Sequence, residues 1–156
     1  MSRIKSGLLV LLAILITIQF IQPARNLSVQ VSTAGISSLT NIPANVQVIL
    51  QNSCYDCHSN NTRYPWYSNI QPGAWWMASH IKIGKAELNF DEFGHYTKRR
   101  QISKLKAIAS SVEDKTMPLP SYLLIHKKAV LSNAEQILIK NWAERVRKTI
   151  VIKNTK

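Results

Sequence analysis

Apolar residues recur at the spacing of an amphipathic helix in four stretches of the chain between residues 43 and 148. In the first stretch, Val46, Ile49 and Leu50 share one face, as expected of a helix that packs on one side. The four predicted helices run from Pro43 to Cys54, from Gly73 to Lys85, from Thr97 to Glu113 and from Ser132 to about Lys148. Nothing in the sequence has the pattern of a strand–helix–strand unit, so we predict an all-α domain.

Residues typical of helix ends support these boundaries. Pro43 suits the first turn of a helix, where its missing N–H costs no hydrogen bond. Thr97 is a candidate N-cap. Ser132 and Glu135 have the spacing of a capping box, in which each side chain accepts a backbone N–H of the other residue. We therefore expect the last two helices to begin at Thr97 and Ser132.

A different pattern occupies the N-terminus, where an apolar run from Gly7 to Ile21 follows Arg3 and Lys5. A short basic region before an apolar run is the layout of a signal peptide or a retained signal anchor. The stretch after the run lacks a small-residue cleavage site, which favours a retained transmembrane helix. The basic residues then predict that the rest of the chain lies outside the cytoplasm, in the periplasm, beside the cytoplasmic membrane.

These patterns divide the chain into four parts. Residues 1–23 are predicted as the anchor, and residues 24–42, rich in Ser, Thr and Asn, as a flexible tether. The helical domain is predicted over residues 43–150, and residues 151–156 form a polar tail. A chain of 156 residues has room for one such domain and an anchor.

Charge narrows the choice of partners. The formal net charge is +12, and the chain stays basic when the residues flanking the apolar run are set aside. A basic surface suits anionic lipid headgroups or an acidic partner protein. Because no nucleic-acid recognition motif accompanies the charge, we predict no nucleic-acid partner.

The chemistry of the chain is concentrated in Cys54-Tyr55-Asp56-Cys57-His58, which contains both of its cysteines. Cys-x-x-Cys-His is the spacing at which two thiols join the two vinyl groups of one haem. The histidine that follows then lies where its imidazole can ligate the iron. The motif therefore predicts one haem c per chain, linked through Cys54 and Cys57 and ligated by His58.

Other uses of two cysteines fit less well. With His58 they supply three ligands, which leaves a structural zinc ion one ligand short. A thioredoxin-like thiol pair needs a strand–helix–strand context that the sequence lacks. Thiol redox chemistry and metal binding stay as alternatives to haem.

The second axial ligand has two candidates. Met117 lies in a loop before Pro118, and Pro120 stiffens that loop further, which favours delivery of the thioether sulfur to the iron. His80 is the alternative, on the same helical face as Trp76. His126 is a weaker candidate.

The polar and aromatic loop after His58 is predicted to wrap the same side of the haem. A backbone carbonyl near Pro65 is a candidate acceptor for the N–H of His58. Arg63 can pair with a haem propionate, although a solvated surface charge is an equal alternative. Trp66 and Trp76 are the aromatic residues expected to contact the cofactor.

The chain resembles the bacterial haem-binding-domain family of short proteins with one Cys-x-x-Cys-His motif. The stretches that carry the resemblance are Asn52–Tyr67, Gln71–Trp76, Phe90–Phe93 and Met117-Pro118. The resemblance implies covalent haem binding by Cys54, Cys57 and His58. The order of a helix before the motif, a Met-Pro loop and a C-terminal helix is also similar to the plan of a class I cytochrome c.

Taken together, the sequence predicts a mono-haem electron carrier rather than an enzyme, with a redox partner protein for which an acidic protein is a candidate. The alternatives are a haem-based sensor or a peroxidase-like enzyme, both of which need an open position at the iron. A peroxidase also needs a polar pair at that position, for which His80 and Arg63 are the candidates.

Overall fold

The computed structural model describes residues 3–28, 30 and 32–153, and this part of the chain is helical without a named strand. Eight α-helices occur in it: α1 Arg3–Ile18, α2 Ile36–Leu39, α3 Ala44–Ser53, α4 Tyr55–His58, α5 Gly73–Glu87, α6 Lys98–Glu113, α7 Pro120–Leu123 and α8 Asn133–Lys153. Three 3₁₀ turns connect them, at Trp66–Asn69, Phe90–His95 and Lys127–Ala129. The prediction of an all-helical domain is confirmed.

The core lies where α6 and α8 pack against each other. Their buried residues recur every three or four positions, which places one apolar stripe of each helix against the other. The stripe of α6 contains Leu105, Ile108, Ala109 and Val112, and that of α8 contains Ile139, Trp142, Ala143 and Val146. Trp142 is 1% exposed and is the largest side chain enclosed there.

Helix α3 and the 3₁₀ turn at Phe90–His95 cover the rest of this core. Val46, Ile49 and Leu50 of α3 are buried, as their spacing predicts. Phe90 and Phe93 of the turn are buried in the same cluster. The apolar residues between α5 and α6 therefore fix the connection between these two helices to the domain.

The predicted helix ends are confirmed at two places. The side chain of Thr97 accepts the N–H of Arg100 at the start of α6. Before α8, Ser132 N donates to Glu135 Oε2 over 2.8 Å, and Glu135 N donates to Ser132 Oγ. Helix α8 continues to Lys153 rather than ending near Lys148, and residues 154–156 of the predicted tail lie outside the described residues.

The predicted transmembrane anchor over residues 1–23 is wrong. Helix α1 spans 16 residues, or about 24 Å at 1.5 Å per residue, against a hydrocarbon core of about 30 Å. Among the described residues, no helix combines the length and apolar character needed to cross a membrane. The predicted single-pass location in the cytoplasmic membrane, with the domain in the periplasm, is therefore not supported.

The end of α1 shows why the apolar run does not form one long helix. After Ile18 the chain turns, and the Gln19 side chain accepts the backbone N–H of Gln71 over 2.9 Å. The Gln71 side chain in turn donates to the carbonyl of Ile21 over 2.8 Å. The carbonyl of Ile21 is thus bonded to the domain instead of to a later turn of a longer helix.

Residues 24–42, predicted as a flexible tether, also pack on the domain where they are described. Asn26 donates to the carbonyl of Ser59 and to the hydroxyl of Thr62, both over 2.9 Å. Ile36 in α2 is 2% exposed and belongs to the core cluster. Burial of this isoleucine ties the segment to the 3₁₀ turn that follows α5, so it is part of the domain.

Candidate functional site

One cavity of about 490 Å³ brings together the residues that the motif singled out. Cys54, Cys57 and His58 line one part of it, and Met117 and His80 line others. Its remaining walls come mainly from α5, α6 and the segment Met117–Tyr122, and they are predominantly apolar. A volume of this size lies within the range of about 300–1,000 Å³ that is typical of small-ligand sites.

The two cysteines reach this cavity because the chain breaks its helix at Cys54. Helix α3 ends at Ser53, and α4 adds a single turn in which Cys57 N donates to Cys54 O over 3.2 Å. His58 N donates to the same carbonyl over 3.0 Å. Cys54 and Cys57 therefore stand at the two ends of one turn, and both line the cavity.

The imidazole of His58 is held by the C-terminal end of α5. Its Nδ1 lies 2.9 Å from Gly84 O and 2.9 Å from Leu88 O. Because a carbonyl oxygen only accepts hydrogen bonds, Nδ1 is the donor in these contacts and Nε2 is the nitrogen left available to a ligand. A neutral imidazole with this tautomer is the form that ligates a metal. The acceptors are thus Gly84 in α5 and Leu88 directly after it, and the predicted acceptor near Pro65 is wrong.

Gly84 makes this contact possible. A Cβ at position 84 would lie 2.7 Å from Cys57 O and 3.2 Å from Cys57 Cβ. Only a residue without a side chain lets the backbone of α5 approach the motif this closely. The glycine therefore sets the distance between α5 and His58.

Burial keeps both thiols protonated in the protein without a cofactor. Desolvation raises the pKa of Cys54 to about 12, with a smaller contribution from Cys57. Burial, followed by the nearby charge of Asp56, raises the pKa of Cys57 to about 11. A reactive redox pair has the opposite shift, because the thiolate is the nucleophile. The thiol redox alternative therefore loses support.

Both candidates for the second axial ligand line the cavity. Met117 is 39% exposed, and its backbone N–H donates to Ser111 O at the end of α6 over 3.2 Å. His80 Nδ1 lies 2.9 Å from Trp76 O, so its Nε2 is the nitrogen available to a ligand. The choice between Met117 and His80 stays a prediction.

Arg63 does not line the cavity. Its Nε donates to Asp56 Oδ1 over 3.1 Å, and its guanidinium also donates to Gln51 O. This bond to Asp56, opposed by a smaller desolvation effect, raises the pKa of Arg63 further. Arg63 thus lies outside the cavity lining, with a side chain that is 61% exposed and paired with Asp56. This agrees better with a solvated loop charge than with a propionate partner, and the structure does not assemble Arg63 with His80 as a peroxidase-like pair.

The loop after His58 lies outside the cavity altogether, since none of its described residues 59–67 lines it. Trp66 is 76% exposed. Trp76 is 51% exposed and contacts His80, with ring centroids 4.2 Å apart and the two rings tilted by 47°. Neither tryptophan lines the cavity, so the structure does not bring them to the predicted site.

Four ionisable residues that line the cavity were not predicted from the sequence: Asp56, Glu87, Lys104 and Tyr122. Asp56 is 6% exposed, and Tyr122 Oη donates to its Oδ2 over 2.7 Å. Lys104 and Glu87 form an ion pair with Nζ and Oε2 3.0 Å apart. The position of Asp56 inside the motif was an available signal, whereas the other three carry no local signal because their contacts are distant in sequence.

The donor set fits a haem. One apolar cavity is lined by two thiols and by the His58 imidazole, whose Nδ1 contacts two carbonyl oxygens. A thioether and a second imidazole, each a possible further iron ligand, line the same cavity. Among the described residues, no group of three or more His, Cys, Asp or Glu side chains is arranged to hold a bare metal ion. Fold and site together define a small helical protein with a cavity suited to a haem.

Comparison with known proteins agrees with this class. A sequence model described as a haem-binding domain matches residues 13–145. The chain belongs to the haem-binding domain family, and haem binding follows from that membership. No match was found among curated proteins or among solved structures. The similarity to the plan of a class I cytochrome c therefore stays a prediction.

Proposed function

We propose that this protein is a mono-haem electron carrier. Cys54 and Cys57 would hold the haem through thioether bonds, and His58 and Met117 would be its axial ligands. The observation that carries the proposal is that all four side chains line one cavity. When bound, the haem supplies an iron that changes oxidation state by one electron. The protein's task is to hold that iron in one coordination state.

The contacts of His58 suit this task. Two carbonyl oxygens, each 2.9 Å from Nδ1, fix the rotation of the imidazole about its side-chain bonds. Both carbonyls belong to the last turn of α5 and the residue that follows it, which are rigid because α5 packs directly on α4. A ligand that cannot rotate keeps the same bond geometry in both oxidation states, so little reorganisation accompanies electron exchange.

Met117 is the second proposed ligand, and its segment is held at both ends. Its segment is bonded to α6 at one end, where Thr116 and Met117 both donate to Ser111 O. At the other end, the Tyr122 hydroxyl is bonded to Asp56. A thioether ligand favours reduced iron and raises the reduction potential. Ligands on both faces would also exclude small molecules, which supports electron transfer over a sensor.

The partner is proposed to be an acidic protein. A net charge of +12 on 156 residues attracts a negatively charged surface over a long range. The exposed basic residues of α6, among them Lys98, Arg99 and Lys106, belong to a helix whose opposite stripe forms the core. Helix α6 also contributes a wall of the cavity, so a partner that binds it lies close to the haem.

The absorption spectrum tests this proposal. The whole chain is produced with the maturation machinery for haem c, and spectra are recorded in both oxidation states. We expect haem that stays attached after denaturation, a low-spin spectrum, and the weak far-red band of sulfur-to-iron charge transfer. Met117→Ala should abolish that band and yield a high-spin form that binds carbon monoxide.

Met77→Ala is the matched control, because Met77 lies on α5 but does not line the cavity. It should keep the wild-type spectrum. If His80→Ala rather than Met117→Ala abolishes the low-spin form, His80 is the second ligand instead of Met117. The iron then still has two ligands from the protein. A wild-type protein with high-spin iron that binds carbon monoxide would overturn the electron-carrier proposal. Haem lost on denaturation would overturn the covalent linkage.

A further inference from the structure

Charged side chains are rare in the wall of the cavity. Three residues carry a carboxylate or an ammonium there: Asp56, Glu87 and Lys104. Asp56 lies beside the motif and is bonded to Arg63 and Tyr122. Among the described residues that line the cavity, Lys104 is therefore the only lysine or arginine.

The fold places Lys104 on the cavity face of α6. Ile108 and Ser111, four and seven positions further along, line the cavity from the same face. The Lys104 side chain is 22% exposed, so its aliphatic part is packed while Nζ reaches Glu87 Oε2 over 3.0 Å. The Lys104 side chain is thus already ordered before any anion binds, so binding costs little further side-chain entropy.

The ion pair with Glu87 is too weak to prevent Lys104 from binding another anion. The Glu87 side chain is 73% exposed, and an ion pair with a partner this open to solvent contributes little. A second carboxylate inside the apolar cavity would face less screening by water than Glu87 does. An ammonium group that lines an apolar cavity therefore favours a ligand that carries a carboxylate.

We propose that Lys104 binds a carboxylate of the cofactor, a propionate of the haem. The inference rests on the proposed haem site and adds to it the residue that recognises the charged edge of the ligand. Arg63, the candidate that closeness in sequence suggested, does not line the cavity and is paired with Asp56. Lys104, far from the motif in sequence, takes that role because α6 forms the cavity wall.

Paired ligands test this assignment directly. The full chain is produced without maturation machinery, and binding of haemin and of haemin dimethyl ester, which lacks free carboxylates, is measured by absorption titration. Lys104→Gln should weaken haemin binding by about three- to tenfold and leave the binding of the ester unchanged. Lys104→Arg should restore most of the lost affinity, since it keeps the positive charge.

Lys106→Gln is the matched control, because Lys106 is an exposed residue of α6 that does not line the cavity. It removes the same charge and should bind both ligands as the wild type does. The assignment would be overturned if Lys104→Gln and Lys106→Gln lost the same affinity for haemin. It would also be overturned if Lys104→Gln lost as much affinity for the ester as for haemin. If the wild-type chain binds neither ligand, the haem site itself fails, and the two failures are thereby distinguished.

Discussion

At the scale of single residues, Gly84 decides how α5 meets the haem motif. A methyl group there would lie 2.7 Å from Cys57 O, inside the contact distance of the two atoms. We expect Gly84→Ala to destabilise the haem-free protein by about 1–3 kcal/mol, because the backbone has to move apart. Urea unfolding measures the free-energy change.

Gly73→Ala is the control for this substitution, since its nearest contact would be an ordinary 3.7 Å from Tyr67 O. Its stability should stay within about 0.5 kcal/mol of the wild type or rise, because alanine favours the helix. If Gly84→Ala is equally well tolerated, the close approach of α5 to Cys57 is not a constraint on the fold.

The thiols give a second prediction at this scale. With a pKa of about 12 for Cys54 and about 11 for Cys57, very little thiolate is present at pH 8. Iodoacetamide should therefore react at least about tenfold more slowly with the folded haem-free protein than with the unfolded chain, in which a cysteine titrates near pH 8.5. Mass spectrometry after timed quenching measures both rates.

The same shifts fix the sign of a pH effect on stability. Because both thiols bind their protons more tightly in the folded protein, their contribution is complete below pH 8 and decreases as the pH rises above about 9. In Cys54→Ala the unfolding free energy should decrease less as the pH rises above about 9, because one of the two thiols is gone. A wild-type unfolding free energy that rises from pH 8 to 10 would contradict the assigned shifts.

At the scale of elements, a hydrogen bond joins α7 to the motif. Tyr122 Oη donates to Asp56 Oδ2 over 2.7 Å, and burial with this bond raises the pKa of the Tyr122 phenol. Tyr122→Phe should cost about 1–2 kcal/mol, because a charged acceptor loses one of its donors. Amide hydrogen exchange over residues 116–126 should also become faster, since this segment loses its bond to α4.

Tyr64→Phe provides the comparison, since it removes a hydroxyl that accepts the N–H of Asn26 elsewhere on the domain. Tyr64→Phe should leave amide hydrogen exchange in residues 116–126 unchanged. The two variants are compared under conditions in which their unfolding free energies are equal. If Tyr122→Phe also leaves that exchange unchanged, the segment with Met117 is held by other contacts, such as those of Ser111.

At the scale of the whole molecule, the basic charge predicts how salt changes the rate of electron exchange with charged reagents. Because the residues of the chain sum to +12, oxidation of the haem-loaded protein by a small anionic reagent should slow by at least about fivefold between low and high salt. A cationic reagent of similar potential should show the reverse trend. Stopped-flow absorption measures both rates, and equal salt dependence for the two reagents would exclude electrostatic attraction as the basis for partner choice.

The sequence by itself predicted the four longer helices of the domain and the motif on which the proposed site depends. The positions of Val46, Ile49 and Leu50 predict one buried face of α3, because helical spacing depends only on local backbone geometry. The spacing of Cys54, Cys57 and His58 likewise predicts the haem-binding motif, since the whole motif fits in five consecutive residues. Membership of the haem-binding domain family agrees with that reading.

Only the tertiary structure decided which residues surround the motif. His58 is held by Gly84 and Leu88, which lie 26 and 30 positions away, rather than by the adjacent loop. Likewise, Arg63 is close in sequence but bonded outside the cavity, whereas Lys104 reaches the cavity wall from α6. Such contacts depend on how helices pack, which local spacing does not encode. The same reason explains α1, whose apolar run ends where glutamines bond to the domain.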